Sequence, residues 1–261
     1  MTSFYSFISL LKLQLRQFTA FRFDTFTKLA GYPLQLGMMV VLWGFLEELG
    51  TGFDTQAIIA YYAIIFVCQK QYPFVRLALE VQMKIFQGDI FRNYVQPIPL
   101  ISELFAKYCV QAMFYLLIAM PLALFVVVGV SDVSLSVTRV LGFFVLCIGA
   151  AILCFLLWYM IGLTAFFTTM NRGAVQLFSI VQDFAKGAIV PLSLLPDSWN
   201  SVLAMTPFPH MAHTAAAYLT QIEPTNFWDV LALQWLWIGI AYLGCVALWN
   251  KGVKRDNLSL V

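Results

Sequence analysis

The chain has 261 residues, 61% of them apolar and 11% charged, with a formal net charge of +2 and a mean hydropathy of +0.83. A soluble domain carries about a quarter charged residues, so this balance excludes an ordinary water-soluble fold, and the small net charge says little for nucleic acid. A helical span takes roughly 20 apolar residues; the length holds about six spans and leaves no room for a sizeable soluble domain.

The apolar runs are continuous rather than alternating, which argues against a β-barrel. The cysteines, Cys68, Cys109, Cys147, Cys154 and Cys245, sit in those runs without a CxxC pair and read as packing residues. The N-terminus lacks an early basic cluster followed by a small-residue cleavage site, so the first span is expected to direct insertion. Residues 1–261 therefore read as a single transmembrane domain, all α-helical.

From the N-terminus, Phe4, Phe7, Ile8, Leu11, Leu15 and Phe18 recur at helical spacing, while Lys12, Arg16 and Gln17 fall on the other side. That pattern predicts an amphipathic helix lying in the membrane interface within residues 1–28. Span 1 is expected over about Ala30–Leu46, where Gly31, Gly37 and Gly44 permit close helix contact. Span 2 is expected over about Thr55–Phe74, span 3 over Leu104–Val130 with Pro121 inside, and span 4 over Arg139–Phe167. Span 5 is placed at Val175–Leu195 and span 6 at Trp228–Trp249. With the N-terminus inside, all of the 15 Lys and Arg residues except Arg139 and Lys186 lie on or near the cytoplasmic side. Both termini and the segment 75–100 are then cytoplasmic.

That segment is the one sizeable polar stretch carrying both signs of charge. Phe74 to Gln87 suits a helix, with Glu80 and Lys84 spaced for an i,i+4 pair. Gly88 breaks it, and Asp89 can cap a second short helix through Tyr94. Met83, Ile85, Phe86, Ile90 and Phe91 would be awkward in water and suit a partner's groove, with Asp89 and Arg92 at the rim; the bland reading rests them on the membrane surface.

Span 5 carries Gln176, Gln182, Asp183 and Lys186. Asp183 would lie roughly 15 Å deep, near the midplane, where a lone charge costs at least about 2.5–3.5 kcal/mol. Lys186 at i+3 can pair with it. These residues read either as a polar lining of a translocation path or as an ion pair that fixes packing. Beyond them, residues 196–226 are expected to form two short helices broken by Pro207 and Pro209, dipping back into the bilayer from outside as an outer gate with Pro196, Trp199 and Phe208. Asp197 or Ser198 is the expected N-cap. His210 and His213 share a helix face but lack a clear third metal ligand, so no metal site is expected.

The segment QGDIFRNYVQPIPL resembles the intracellular loop of type-2 ABC export permeases, whose pattern runs Gly-Asp-Ile, an aliphatic pair, then Pro. Gly88, Asp89, Ile90 and Pro97 match it; Tyr94, Val95 and Gln96 stand where the pattern has Leu-Leu-Arg. Pro191, Leu195-Pro196 and Pro207-Phe208 fit the same family's outer section, and the N-terminal helix fits too. The resemblance implies six transmembrane helices, a cytoplasmic coupling helix between spans 2 and 3 that seats in a separate ABC ATPase, and a second permease copy or sister subunit completing the path. It implies an ATP-driven exporter in a bacterial cytoplasmic membrane. The chain has no GxxxxGK[ST] phosphate loop, so no cofactor is expected in it; ATP and Mg would belong to the partner ATPase. The alternative is an ion-gradient-driven secondary transporter, which calls for an internal repeat that the two halves do not show. An intramembrane enzyme would need a second carboxylate or nucleophile beside Asp183.

Overall fold

The computed structural model describes residues 12, 16, 22–49, 54–71, 75–88, 99–130, 136–168 and 172–259. These residues form helices in the order α1 (Arg22–Glu48), α2 (Thr55–Gln71), α3 (Val75–Phe86), α4 (Leu100–Val130), α5 (Val137–Leu163), α6 (Arg172–Ala185), α7 (Asp197–Ala204), α8 (His213–Thr220) and α9 (Phe227–Ser259). Short 3-10 turns lie at Thr164–Phe166, Leu192–Leu194 and Pro209–Met211. Of the expected N-terminal interfacial helix, Lys12 and Arg16 are helical and exposed; the rest of that expectation lies outside the described residues, and α1 already starts at Arg22.

Among the described residues, three helices are long and apolar enough to cross a membrane, over Leu100–Val130, Val137–Phe166 and Phe227–Lys254. They match expected spans 3, 4 and 6 within a few residues at most ends. Helix α9 departs further, continuing past Trp249 to Ser259. Helix α2 contributes a shorter apolar stretch over Thr55–Gln69. Exposed Leu34, Met38, Val41 on α1 and Leu117, Phe125 on α4 are what a lipid-facing surface requires and what a soluble fold would bury.

Helix α2 is the centre of the bundle. Ile58 to Cys68 is an unbroken run of buried residues, which on a helix means neighbours on every side. Helix α4, α1 and α8 supply them. Helices α5 and α9 pair along their length, and Gln234 of α9 donates to the Leu146 carbonyl at 3.1 Å. Helix α5 spans the fold from end to end. Near its start Gly142 meets Tyr218 of α8, and near its finish Gly162 meets Val81 of α3. Helices α3 and α8 thus sit at opposite ends of the bundle.

The expected end of span 5 is corrected, and the glycines of span 1 meet no neighbour among the described residues. A Cβ added at Gly31, Gly37 or Gly44 would meet nothing within 4 Å, so no described part of this chain approaches them. The close approaches fall at Gly142, Gly149, Gly162 and Gly252 instead. The helix expected to run to Leu195 stops at Ala185. Its 14 residues are about 21 Å long, short of a ~30 Å hydrocarbon core. The reason is local: Gly187 takes a left-handed φ of 75°, and its N–H bonds the Phe184 carbonyl while that of Ala188 bonds Asp183, closing the helix. Ala188, Ile189 and Val190 kept the sequence apolar through that turn, which hid it.

Candidate functional site

Helix α3 is strongly two-faced. Leu77, Ala78, Val81 and Gln82 are buried, against α5 and, more lightly, α6. Gly162 makes this possible, because a Cβ there would lie 2.6 Å from the Val81 Cβ and 3.1 Å from the Ala78 carbonyl oxygen. On the flank, Lys107 of α4 donates to both carboxylate oxygens of Glu80, at 2.8 and 2.7 Å, and the Tyr108 hydroxyl adds a third bond at 3.2 Å. Lys84 donates to Glu103 at 3.1 Å. The i,i+4 pair expected between Glu80 and Lys84 is therefore replaced: each reaches across to α4. Two crossed pairs plus the Gly162 contact tie the polar helix to the third and fourth apolar helices.

Met83 and Phe86 are about half exposed at the end of α3, and Gln87 is exposed. Gly88 terminates the helix with φ 71°, as its position predicted; its N–H bonds the Ile85 carbonyl at 3.1 Å. Asp89, Ile90, Phe91 and Arg92 lie outside the described residues.

Asp183 of α6 and Lys186, the residue just past its end, form the expected pair at 2.5 Å. Lys186 is buried while the Asp183 side chain is 43% exposed. Gln176 is exposed, seven residues before Asp183 and so on the same helix face. Gln182 faces inward, fully buried with both amide atoms unpartnered among the described residues. The four polar residues are thus split between two faces rather than lining one surface.

The section after α6 folds as two short helices, α7 and α8, around Pro207 and Pro209. The N-cap of α7 is Pro196, without a side-chain hydrogen bond, rather than Asp197 or Ser198, because the helix begins at Asp197 itself. Trp199 is exposed. Phe208 packs on Phe178 of α6 at 5.9 Å, and Phe178 packs edge-on against Trp158 of α5 at 5.1 Å. Pro209 is buried.

Sequence reasoning missed a polar knot beneath α8. The Tyr61 hydroxyl of α2 donates to the Gly187 carbonyl at 2.9 Å and lies 2.9 Å from the His213 Nδ1. The other ring nitrogen of His213 is 3.6 Å from Glu223. The Tyr62 hydroxyl donates to the Ile189 carbonyl at 2.8 Å, so both tyrosines of α2 tie down the turn that ends α6. Gln234 bridges the Leu146 and His210 carbonyls. A tyrosine pair and a glutamine inside apolar runs were the available signals. Their partners lie 24 to 152 residues away in the chain, which no local pattern reveals. Burial pushes the His210 imidazole down, to about 4, against a smaller upward pull from the Ala204 carbonyl. Among the described residues no group of three or more His, Cys, Asp or Glu side chains could hold a metal ion.

A model of the ABC-2 family transporter proteins matches residues 30–256. A comparison with curated proteins finds no match, and one with solved structures finds none either.

Proposed function

The chain belongs to the ABC-2 transporter family, and on that premise we propose that it is the transmembrane permease subunit of an ATP-driven exporter. The observation that carries this reading is the construction of α3. Its inner face is locked onto α5, its charges are clamped to α4, and its tip leaves Met83 and Phe86 uncovered. A short amphipathic helix with a fixed inner face and a free apolar tip is built to receive a push and pass it on. The pusher is a cytoplasmic ABC ATPase that binds ATP and Mg, and Asp89, Ile90, Phe91 and Arg92 extend the docking surface beyond Gly88. A second permease, the same chain or a sister, completes the path. Asp183 and Gln176, on the exposed face of α6, border it. The α7–α8 section forms the gate on the side away from α3. On this reading the termini and α3 lie on the cytoplasmic side of a bacterial inner membrane.

Co-purification tests the docking. The permease is co-expressed with a candidate ABC ATPase, sought in the reading frames beside its gene. The parent chain retains the ATPase on an affinity resin, and Met83→Ser with Phe86→Ser reduces recovery at least tenfold while the permease stays monodisperse. Undiminished recovery by the double variant would sink the assignment of α3.

A further inference from the structure

The polar knot beneath α8 has more links than hydrogens to fill them. Tyr61 of α2 meets two acceptors, the Gly187 carbonyl at 2.9 Å and the His213 Nδ1 at 2.9 Å. The other ring nitrogen of His213 faces the Glu223 carboxylate at 3.6 Å. These are three links in series. Tyrosine supplies one O–H and a neutral imidazole one N–H, so with His213 neutral one link has no hydrogen. With the ring proton on Nδ1, Tyr61 serves Gly187, but a bare nitrogen lone pair faces the carboxylate. With the ring proton on Nε2, Tyr61 must turn to Nδ1, and the buried Gly187 carbonyl goes unserved. One more proton fills all three links: Tyr61 donates to Gly187, Nδ1–H donates to Tyr61, and Nε2–H points at Glu223.

The surroundings favour that proton. Glu223 has no partner for its other carboxylate oxygen among the described residues. Its side chain is 23% exposed and lines an open cleft with Arg139, Gln221 and Asn226, which gives a proton its way in from water. Asp229 of α9 lines a smaller cavity together with His213 and Glu223. Lys186, just before Gly187, is paired with Asp183, and His210 in the turn before α8 is held neutral by burial. Arg139 of α5 supplies the opposing charge at the cleft. The chain of links is close-packed on the left-handed Gly187: a Cβ there would run into the Tyr61 hydroxyl and lie 3.2 Å from the His213 Nδ1.

We propose that His213 and Glu223 together bind one proton, and that this proton completes a latch running from the cleft through Tyr61 to the turn that ends α6. The bound proton ties α8 and the loop after it to α2 and α6; its loss leaves one link unmade. The latch stands apart from α3, and its test needs no ATPase.

A proton held more tightly by the folded chain than by the unfolded one adds stability in acid that fades as the pH rises. The purified chain in nanodiscs is therefore unfolded thermally from about pH 6.5 to 8.5, the alkaline flank of imidazole titration, which lies above the window in which His210 charges. The parent Tm is expected to fall by about 2–4 °C across that range, the worth of one hydrogen bond in a chain of this size class. The Tm of His213→Gln and of Glu223→Gln is expected to stay flat. The chain has two histidines, so in the His210→Gln background nitrogen NMR of the labelled imidazole reports His213 alone. It should carry two ring protons at the acid end of the range and one at the alkaline end. Adding Glu223→Gln should move that loss to lower pH by at least about one unit, a tenfold weaker hold on the proton. If either latch variant fails to fold, the parent Tm and the ring signal of His213 still decide. A parent Tm that is flat or rises with pH, a single ring proton throughout, or an unmoved titration in Glu223→Gln would overturn the proposal.

Discussion

Gly162→Ala probes the joint on which the mechanical reading turns. The added methyl would lie 2.6 Å from the Val81 Cβ and 2.9 Å from its Cγ1, with the Ala78 carbonyl oxygen at 3.1 Å. Carbon atoms in contact settle near 3.5–4.0 Å, so α3 must move by about 1 Å. Two of the three obstructing groups, Val81 Cβ and the Ala78 carbonyl, belong to the α3 framework and cannot rotate away. Overpacking of this kind costs about 1–3 kcal/mol, while alanine in place of a helix-interior glycine returns about 0.5–1 kcal/mol. The net is a loss of up to about 2.5 kcal/mol, near 1 kcal/mol at the middle of both ranges. Gly239 on α9 has nothing within 4 Å of its Cβ position, so Gly239→Ala should show the helix gain alone. Thermal unfolding in detergent, at about 2–4 °C per kcal/mol for a chain of this size class, should therefore move in opposite directions for the two variants. Gly162→Ala should also reduce ATPase retention, because the α3 tip is displaced. A Tm for Gly162→Ala equal to or above that of Gly239→Ala would refute the close packing of α3 on α5.

Lys107→Met leaves the Glu80 carboxylate with the Tyr108 hydroxyl alone and should cost about 1–2 kcal/mol, at the low end for charged hydrogen bonds because both groups keep some solvent; the swap Glu80→Lys with Lys107→Glu should recover part of the loss in Tm. Tyr61→Phe leaves the Gly187 carbonyl and His213 without their shared hydroxyl, and a loss of about 1–3 kcal/mol is expected by the same assay, with Tyr62→Phe milder because that site is only partly buried. His210 is held neutral in the folded chain, its imidazole lowered from 6.5 to about 4. Its contribution is therefore full above about 6.5 and is lost as the pH falls toward 4. Wild-type Tm should drop over that window more steeply than the Tm of His210→Gln, with His213, Glu223 and Asp229 left in place in both.

How much the sequence disclosed follows from what is local. Continuous apolarity located the helices over Leu100–Val130 and Val137–Leu163, and Gly88 marked the end of α3, because length and a helix stop are written in neighbouring residues. The family resemblance rested on Gly88, Asp89, Ile90 and the spacing of the prolines, and the match over residues 30–256 bears it out. The early end of α6 was not legible, since apolar residues flank Gly187 and the turn is secured by Tyr61 and Tyr62 from another helix. Glycine showed where a helix could be approached, but not which helix would arrive: Gly37 stands open and Gly162 is occupied. The same limit separates the expected Glu80–Lys84 pair from the pairs that form with Lys107 and Glu103. Spacing alone favours the nearest charge; tertiary packing offers a second partner with better geometry.

The most direct test places a cysteine at Gln87, the exposed end of α3, and follows its reaction with a membrane-impermeant maleimide above the parent chain's background. The thiol should be silent in intact cells, reactive in inside-out vesicles, and protected there when the ATPase is co-expressed. Labelling from outside intact cells would contradict the account, and so would equal reactivity with and without the ATPase.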